Sequence, residues 1–387
     1  MNKSPLQNNG KKVALAISGG IDSAVSAHLL KQQGYKLSCF HFKLYCEDEK
    51  LIKKRLNSAK KIANFLSLPL KIIDLYDQHK KEVVNDFIKQ YKSGLCPNPC
   101  VTCNKKVKFG AFYDYALKNG FDYISTGHYA RILKKNSFWY LATPADIKKD
   151  QTYFLHGLKE KQLNNILFPL GDLQKTEVKK IATRNKLPVS LSESSGICFI
   201  KDKKTQNFLQ QHIKKNPGQV VDKGGSVVGT HQGINFYSIG QRQGFYINAK
   251  LLSQKTTLTK DKHSAPPLYV IGKNIKKNQL IVGSEKQAYK NNLLIKKLSF
   301  ITSSKGEGIV KERNLFIKIR HTGKKTACSA QKKDENFIIK FKEPQFAITP
   351  GQSAVLYQLM NKKKQEYVCL GGGEIISSPK AINHPGV

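Results

Sequence analysis

No apolar run in this sequence approaches the roughly 20 residues that a membrane-spanning helix needs, so no membrane span is expected. The first residues, Met1 to Gly10, are polar and carry no apolar core of the secretory type, which makes a cytoplasmic protein the default expectation. Acidic residues are scarce, 27 against 66 basic ones, which gives a formal net charge of +39. Arginine is scarcer still. It occurs only at Arg55, Arg131, Arg184, Arg242, Arg313 and Arg320, so nearly all the positive charge is lysine. A bias in the coding sequence accounts for lysine over arginine, yet not for so few acids. Such a balance points to a polyanionic partner, because lysines that neutralise phosphates release counterions. Cysteine is also too thin for a disulfide scaffold. Eight cysteines in 387 residues read as free thiols, metal ligands or catalytic groups. No repeat of fixed period is visible.

The chain is long enough for two or three domains, and its 40% hydrophobic and 24% charged residues suit a soluble globular protein. Its first half alternates short apolar runs with helical patterns. Strands are expected at Val13–Ile17, Leu37–Phe42, Leu70–Leu75 and Tyr123–Thr126. Helices are expected at Ser23–Gln33 before Gly34, at Leu51–Leu66, at about Glu82–Tyr91, and at Val107–Asn119 before Gly120. Alternation of this kind predicts an α/β fold with a doubly wound parallel sheet. Beyond about residue 205 the pattern changes to glycine, turns and short strands, with Lys250–Pro267 as a loop. Expected strands there include Leu280–Val282, Leu315–Ile319, Phe337–Phe341, Ser353–Tyr357 and Tyr367–Leu370. The expected organisation is a catalytic domain over 1–205, a small β-rich domain over 206–285 and a β-barrel over 286–387.

Chemistry concentrates in three places. The first is Ser18-Gly19-Gly20-Ile21-Asp22-Ser23, directly after the strand-like Val13–Ile17. A Gly-Gly turn between strand and helix lets backbone N–H groups approach a phosphate, and the helix adds its positive end. Ser18 and Ser23 add hydroxyls, and Asp22 can hold the loop or a magnesium ion. The Gly-Lys-Ser/Thr ending of a Walker loop is missing, which disfavours a kinase or GTPase. The second place is Pro97-Asn98-Pro99-Cys100-Val101-Thr102-Cys103-Asn104, a rigid turn carrying two thiols. The third is Cys198 within Ser195-Gly196-Ile197-Cys198-Phe199, a thiol on a glycine-containing loop. A structural zinc knuckle that recruits Cys96 stands beside the catalytic reading. Cys39, Cys328 and Cys369 lie in apolar runs and read as packed; Cys46, before an acidic cluster, stays ambiguous.

The glycine-rich run resembles the PP-loop of ATP pyrophosphatases, which cleave ATP between the α and β phosphates and adenylate a substrate oxygen. Taken with further motifs in order, nearly the whole chain resembles the tRNA-specific 2-thiouridylases. Those motifs are Thr126-Gly127-His128-Tyr129, Lys149-Asp150-Gln151-Thr152-Tyr153-Phe154-Leu155, Gly233, Ile239-Gly240-Gln241-Arg242, Thr349-Pro350-Gly351-Gln352-Ser353-Ala354 and Cys369-Leu370-Gly371-Gly372-Gly373. The resemblance implies a PP-loop domain, a small central domain and a C-terminal β-barrel. It implies sulfur carried as a persulfide on Cys198, with Cys103 assisting its release to the wobble uridine of tRNA. It implies ATP, with Mg2+, against Ala16, Ile17, Ser18, Gly19, Gly20, Ile21, Asp22, Ser23, Phe42 and Gly127. It places the target base at Asn98, Pro99 and Cys100, and further tRNA contacts at His128, Lys149, Asp150, Gln151, Arg320, His321 and Gln352. It implies tRNAs for Lys, Glu and Gln as substrates, and a cysteine desulfurase or sulfur-relay protein as persulfide donor. No metal ligand is assigned. The chain departs from the family at Cys100, where many members carry Asp. Three thiolates can hold an iron–sulfur cluster with one iron open, so a cluster stands as an alternative that is not favoured.

Overall fold

A computed structural model of the chain describes residues 10–135, 137–191, 196–201, 205–248, 250–251, 267–302 and 314–377. Ser195, Arg313 and most of the expected 250–267 loop lie outside the described residues.

Among the described residues of the first half, seven strands occur: β1 (Lys12–Ala16), β2 (Lys36–Lys43), β3 (Leu70–Asp74), β4 (Tyr123–Ser125), β5 (Arg131–Lys135), β6 (Phe138–Ala142) and β7 (Ile166–Leu167). Five of them form an all-parallel sheet in the order β3-β2-β1-β4-β7. Its centre, β1, is apolar on both sides because both faces are covered. Val13 and Leu15 pack with Val25 and Leu30 of helix α1 (Ile21–Gln32) and with Val178 and Ala182 on the helix Lys175–Arg184. Ala14 packs on the other face with Phe40, Phe109, Phe112 and Ala116. Strand order reverses at β1, with β2 on one side and β4 on the other. Ligands of open parallel sheets bind at such a reversal, beyond the carboxyl ends of the strands.

Two helices differ from expectation. The cysteine segment is no turn. Pro99–Cys103, Asn104–Ala111 and Phe112–Lys118 follow one another as helix, the middle stretch π-helical. Pro99 begins it because proline loses nothing at a first helical position, and the Asn98 side chain caps it by accepting from Cys100 N at 3.1 Å. The expected Glu82–Tyr91 helix likewise starts earlier, through Tyr76–His79, the π-helical Lys80–Val84, and Asn85–Lys92.

The second sheet holds β8 (Gly218–Val221), β9 (Val227–His231), β10 (Tyr246–Ile247), β11 (Tyr269–Asn274) and β12 (Gln279–Gly283), in the order β10-β9-β8-β12-β11. Its core residues Val220, Val228, Val270 and Leu280 are continuous with Phe87, Cys103, Val107 and Phe199. The thiol helix is therefore clamped between two sheets.

The third sheet holds β13 (Tyr289–Phe300), β14 (Leu315–Lys318), β15 (Thr326–Lys333), β16 (Asn336–Phe346), β17 (Ser353–Asn361) and β18 (Glu366–Ser377). It closes into a barrel where β13 pairs with β18 as well as with β16. The hairpin β5–β6, from the first half of the chain, pairs with the start of β18 through Ala142↔Val368 and Leu141↔Cys369. A buried ion pair adds to this joint: Lys325 Nζ lies 2.6 Å from Asp150 Oδ2.

Candidate active site

The glycine-rich turn lies at the carboxyl end of β1, at the strand-order reversal. Gly19 has φ of +86°, and a Cβ there would lie 2.7 Å from the Arg55 carbonyl and 2.8 Å from Ser58 Cβ. Only glycine accommodates both the left-handed backbone and that approach. Ser23 Oγ donates to the Gly20 carbonyl at 2.9 Å and accepts from Ser18 N at 3.2 Å, so the loop is fixed by its own hydroxyl. Ser18 and Gly20 remain exposed. Asp22 Oδ1 accepts from Lys175 Nζ at 2.5 Å and from Tyr129 Oη at 2.9 Å. From β4, Gly127 reaches the same place: a Cβ there would lie 2.8 Å from Ser23 N and 2.9 Å from the Asp22 carbonyl carbon. Ala16 and Phe42 are half-buried at the ends of β1 and β2, and the Phe42 ring meets Phe112 edge-on at 4.8 Å. Ile17 and Ile21 are buried core. All ten expected nucleotide residues thus fall at the ends of three neighbouring strands and the start of α1.

The thiols gather next to this loop. Cys100 and Cys103 share the first turn of the capped helix, and Cys198 comes to them from a distant segment; each of the helical thiols interacts electrostatically with Cys198. Cys103 is buried, Cys100 half-buried and Cys198 exposed. Burial pushes the Cys103 thiol up to about 12 and the Cys100 thiol up to about 11. The protein packed around Cys198 raises its thiol as well, while Arg55 and Lys108 draw it down. The Lys108 charge acts in that favourable direction on all three thiols. Two side chains anchor the Cys198 loop through one carbonyl: Arg55 Nη1 donates to Cys198 O at 3.0 Å and Cys46 Sγ at 3.5 Å. Among the described residues, no group of three or more His, Cys, Asp or Glu side chains is arranged to hold a metal ion. Cys96, the candidate fourth ligand of a zinc knuckle, lies instead against Ser238 Oγ at 3.3 Å and the Tyr237 carbonyl at 3.7 Å. Cys39 and Cys369 are buried as expected, whereas Cys328 is half-buried.

The expected RNA-contact residues divide into two groups. Lys149 is half-buried at the end of a short helical turn, and Gln151 Oε1 accepts from Tyr129 N at 2.8 Å. Asn98 and Pro99 stand at the helix start beside the thiols. Asp150, Arg320, Gln352, His321 and His128 make their contacts in the interior and along the barrel. Asp150 is 2% exposed and bonded to Lys325 and Thr152. Burial alone would push its carboxyl up, but Lys325, Thr152 and Lys318 together hold it below the usual range. Arg320 donates to the carbonyls of Phe346 and Ala347. Gln352 Nε2 donates to the Cys96 carbonyl at 2.6 Å, tying the barrel to the base of the thiol helix. His321 stacks on Phe154 at 4.3 Å. His128 is buried between Phe109 and Phe168, with Nδ1 2.7 Å from Thr126 Oγ1, and burial lowers its pKa well below the usual value.

Three family descriptions match the chain in succession: a tRNA methyl transferase HUP domain at residues 11–202, a tRNA methyl transferase PRC-barrel domain at 206–284, and an aminomethyltransferase beta-barrel domain at 290–375. The tRNA-specific 2-thiouridylase MnmA of Nitrosomonas europaea is 38% identical over 381 residues, covering 96% of this chain and 99% of that one. The protein of the same name from Vesicomyosocius okutanii is 38% identical over 376 residues, covering 95% and 98%. The chain belongs to the tRNA-specific 2-thiouridylase family. Among solved structures, the U34-tRNA thiolase NcsA from Methanococcus maripaludis with its [4Fe-4S] cluster is 20% identical with a TM-score of 0.35, over 53% of this chain and 68% of that one, too slight a likeness to argue from.

Within this thiouridylase the geometry adds residues that the sequence did not single out. Lys108 is the cation common to three thiols, but it is hidden among Lys105 and Lys106 in a lysine-rich chain. Arg55 joins the two halves of the site, its carbonyl against Gly19 and its guanidinium on the Cys198 loop. Its rarity was the available signal, since an arginine among so many lysines holds a carbonyl with a fixed planar fork. Lys175 neutralises Asp22 from a helix 153 residues away in sequence, and no local pattern announces it. Cys46, left ambiguous by the sequence, is a neighbour of Cys198.

Proposed function

We propose that the protein is an ATP-dependent tRNA sulfurtransferase that converts the wobble uridine of tRNA to 2-thiouridine. The observation that carries this reading is the bridge at Arg55. One residue touches both the phosphate-type loop and the Cys198 loop, so activation by a nucleotide and sulfur delivery fall within one site. The match to named relatives over nearly the whole chain supports the same reading.

The chemistry follows from the parts. The C2 oxygen of uracil is a poor leaving group. ATP held by Ser18–Ser23, with Ala16, Ile17, Phe42 and Gly127 beside it, adenylates that oxygen and releases pyrophosphate. The exposed residues Ser18 and Gly20 border the phosphates, and Lys175 adds a nearby positive charge. Magnesium would enter with the phosphates. Asp22, the only acid in the loop, would hold it through Oδ2, since the two bonds from Lys175 and Tyr129 fall on Oδ1.

Sulfur arrives as a persulfide on Cys198, the exposed thiol of the three and the one a donor protein reaches. The terminal sulfur attacks C2. The Cys103 thiolate then attacks the Cys198 sulfur, which forms a Cys103–Cys198 disulfide and leaves the transferred sulfur on C2. Departure of AMP gives 2-thiouridine. Lys108 favours the thiolate at each step. The donor is a cysteine desulfurase or a sulfur-relay protein, and the substrates are the tRNAs for Lys, Glu and Gln, met in the cytoplasm. Asn98, Pro99 and Cys100 border the target base, while Lys149 and Gln151 lie on the side nearest Tyr129 and the nucleotide loop. Gln352 ties the barrel to the base of the thiol helix, Asp150 ties the first half of the chain to the barrel through Lys325, and Arg320 braces the barrel itself.

A cluster held by Cys100, Cys103 and Cys198 is the weaker reading, because these side chains form no metal-holding group. Nucleoside mass spectrometry of tRNA from cells with and without the protein tests the function. Loss of 2-thiouridine is expected on deletion, together with tRNA-stimulated AMP release by the purified protein. Unchanged 2-thiouridine on deletion would overturn the reading.

A further inference from the structure

We propose that Cys100 is a third catalytic thiol, which takes over the Cys103–Cys198 disulfide after sulfur transfer and so returns Cys198 to its reduced state. This inference rests on the persulfide reading above.

The geometry sets up the exchange. Cys100 and Cys103 are three residues apart on a capped helical turn. Helix geometry puts their Cα atoms about 5 Å apart. That lies within the range of roughly 4.4–6.8 Å that a disulfide spans. Cys198 approaches from a separate segment that Arg55 and Cys46 hold by its carbonyl, and it interacts electrostatically with both helical thiols. Accessibility explains why a third thiol is useful. After transfer, one end of the disulfide is the buried Cys103 and the other is the loop that must accept the next persulfide. Cys100 is half-buried, so it gives a reductant an entry point that does not occupy Cys198.

The step balances as thiol–disulfide exchange. The Cys100 thiolate attacks Cys103 Sγ. The Cys100–Cys103 bond forms, the Cys103–Cys198 bond breaks, and Cys198 leaves as a thiolate that takes up the proton Cys100 gave up. No net oxidation occurs. A dithiol reductant, small or protein-borne, then reduces the Cys100–Cys103 disulfide and is itself oxidised to a disulfide. Arg55 and Lys108 both stabilise a departing Cys198 thiolate, which favours it as the leaving group.

The test uses the full chain loaded with persulfide, with loading on Cys198 measured first by release of sulfane sulfur to cyanide. Loaded protein is mixed with tRNA and ATP without reductant, quenched in acid, alkylated and mapped by peptide mass spectrometry. A Cys100–Cys103 disulfide with alkylated Cys198 is expected. In Cys100→Ser, a Cys103–Cys198 disulfide is expected to accumulate in step with product, and thiolation stops at about one product per protein when the reductant is a protein dithiol. If the wild-type protein keeps the Cys103–Cys198 disulfide, or forms Cys46–Cys198 instead, the relay is overturned and the persulfide reading stands. If Cys198 never carries sulfane sulfur, both fall.

Discussion

At the scale of single residues, reactivity is set by which thiol holds its proton. A thiol raised by the surrounding protein to about 12, as at the buried Cys103, or to about 11, as at the half-buried Cys100, has little thiolate at neutral pH. Only the thiolate attacks carbon or sulfur. At pH 8 a thiol titrating near 11 is alkylated about a hundredfold more slowly than one at the ordinary value of 9.0. We expect iodoacetamide labelling of Cys100 and Cys103 in the free protein to climb about tenfold per pH unit between pH 8 and 10. Labelling that is already fast and flat at pH 8 would mean that Lys108 outweighs burial. Asp22 poses a different balance. Its partner Lys175 has a side chain only 10% exposed, so the pair is partly withdrawn from water. Asp22→Ala leaves that ammonium without its carboxylate and frees the Tyr129 hydroxyl. Loss of AMP formation is expected with tRNA affinity kept within about twofold, because tRNA is held across a wider basic surface. AMP release at the wild-type rate would detach the loop from the nucleotide.

At the scale of elements, two helices with π-helical stretches carry the thiol site. π-helical insertions concentrate at functional positions. The one at Lys80–Val84 directly follows His79, which is fully buried with both ring nitrogens unpartnered. Its ring meets Phe199, next to Cys198, at 5.8 Å. Burial first, and then Lys108, lower the His79 pKa from 6.5 to about 4. The folded state thus prefers the neutral ring. Its contribution is complete above pH 6.5 and is lost as pH falls through 4, where it amounts to about 3 kcal/mol. Urea unfolding between pH 7 and 4 should show this loss, and His79→Phe should remove much of it. An equally steep acid loss in His79→Phe would assign the effect to His128 and His156. The same elements show what the sequence made legible. The β1–α1 turn was readable because Gly-Gly, serine and aspartate sit on one short turn, where local chemistry suffices. The helix start at Pro99 looks like a turn in the sequence because proline suits both, and the capping bond from Asn98 is visible only in three dimensions. The long strand Tyr289–Phe300 has no clear signature in the sequence because lysines and asparagines interrupt its alternation. Lys175 on Asp22 and Arg55 on Cys198 were illegible for a simpler reason: both bring together segments far apart in the chain.

At the scale of the whole molecule, the hairpin β5–β6 and Asp150 tie the first half of the chain to the barrel. Lys325 and Lys318 both act on that single buried carboxylate, so the joint concentrates positive charge rather than dispersing it. A groove of about 720 Å³ runs between the thiol helix and the barrel. Lys81, Lys89, Lys105, Lys106, Lys296 and Lys297 line it, together with Asn98. Few acids offset them there: Glu82, Asp86 and Glu374. A molecule of net charge +39 repels itself, and that cost is relieved when a polyanion enters and neutralises the lysines. Counterion release then dominates affinity. If about six phosphates are contacted, binding of tRNA should weaken on the order of a thousandfold between 50 and 200 mM salt. Filter binding or anisotropy against salt gives the slope directly. Replacing Lys105 and Lys297 together by glutamine should lower that slope by about two, while AMP formed per bound tRNA stays as before. Both residues line the groove but neither borders the glycine-rich loop, so they separate capture of the RNA from the chemistry. An affinity indifferent to salt would leave the lysine excess as a coding bias, with no part in holding the substrate.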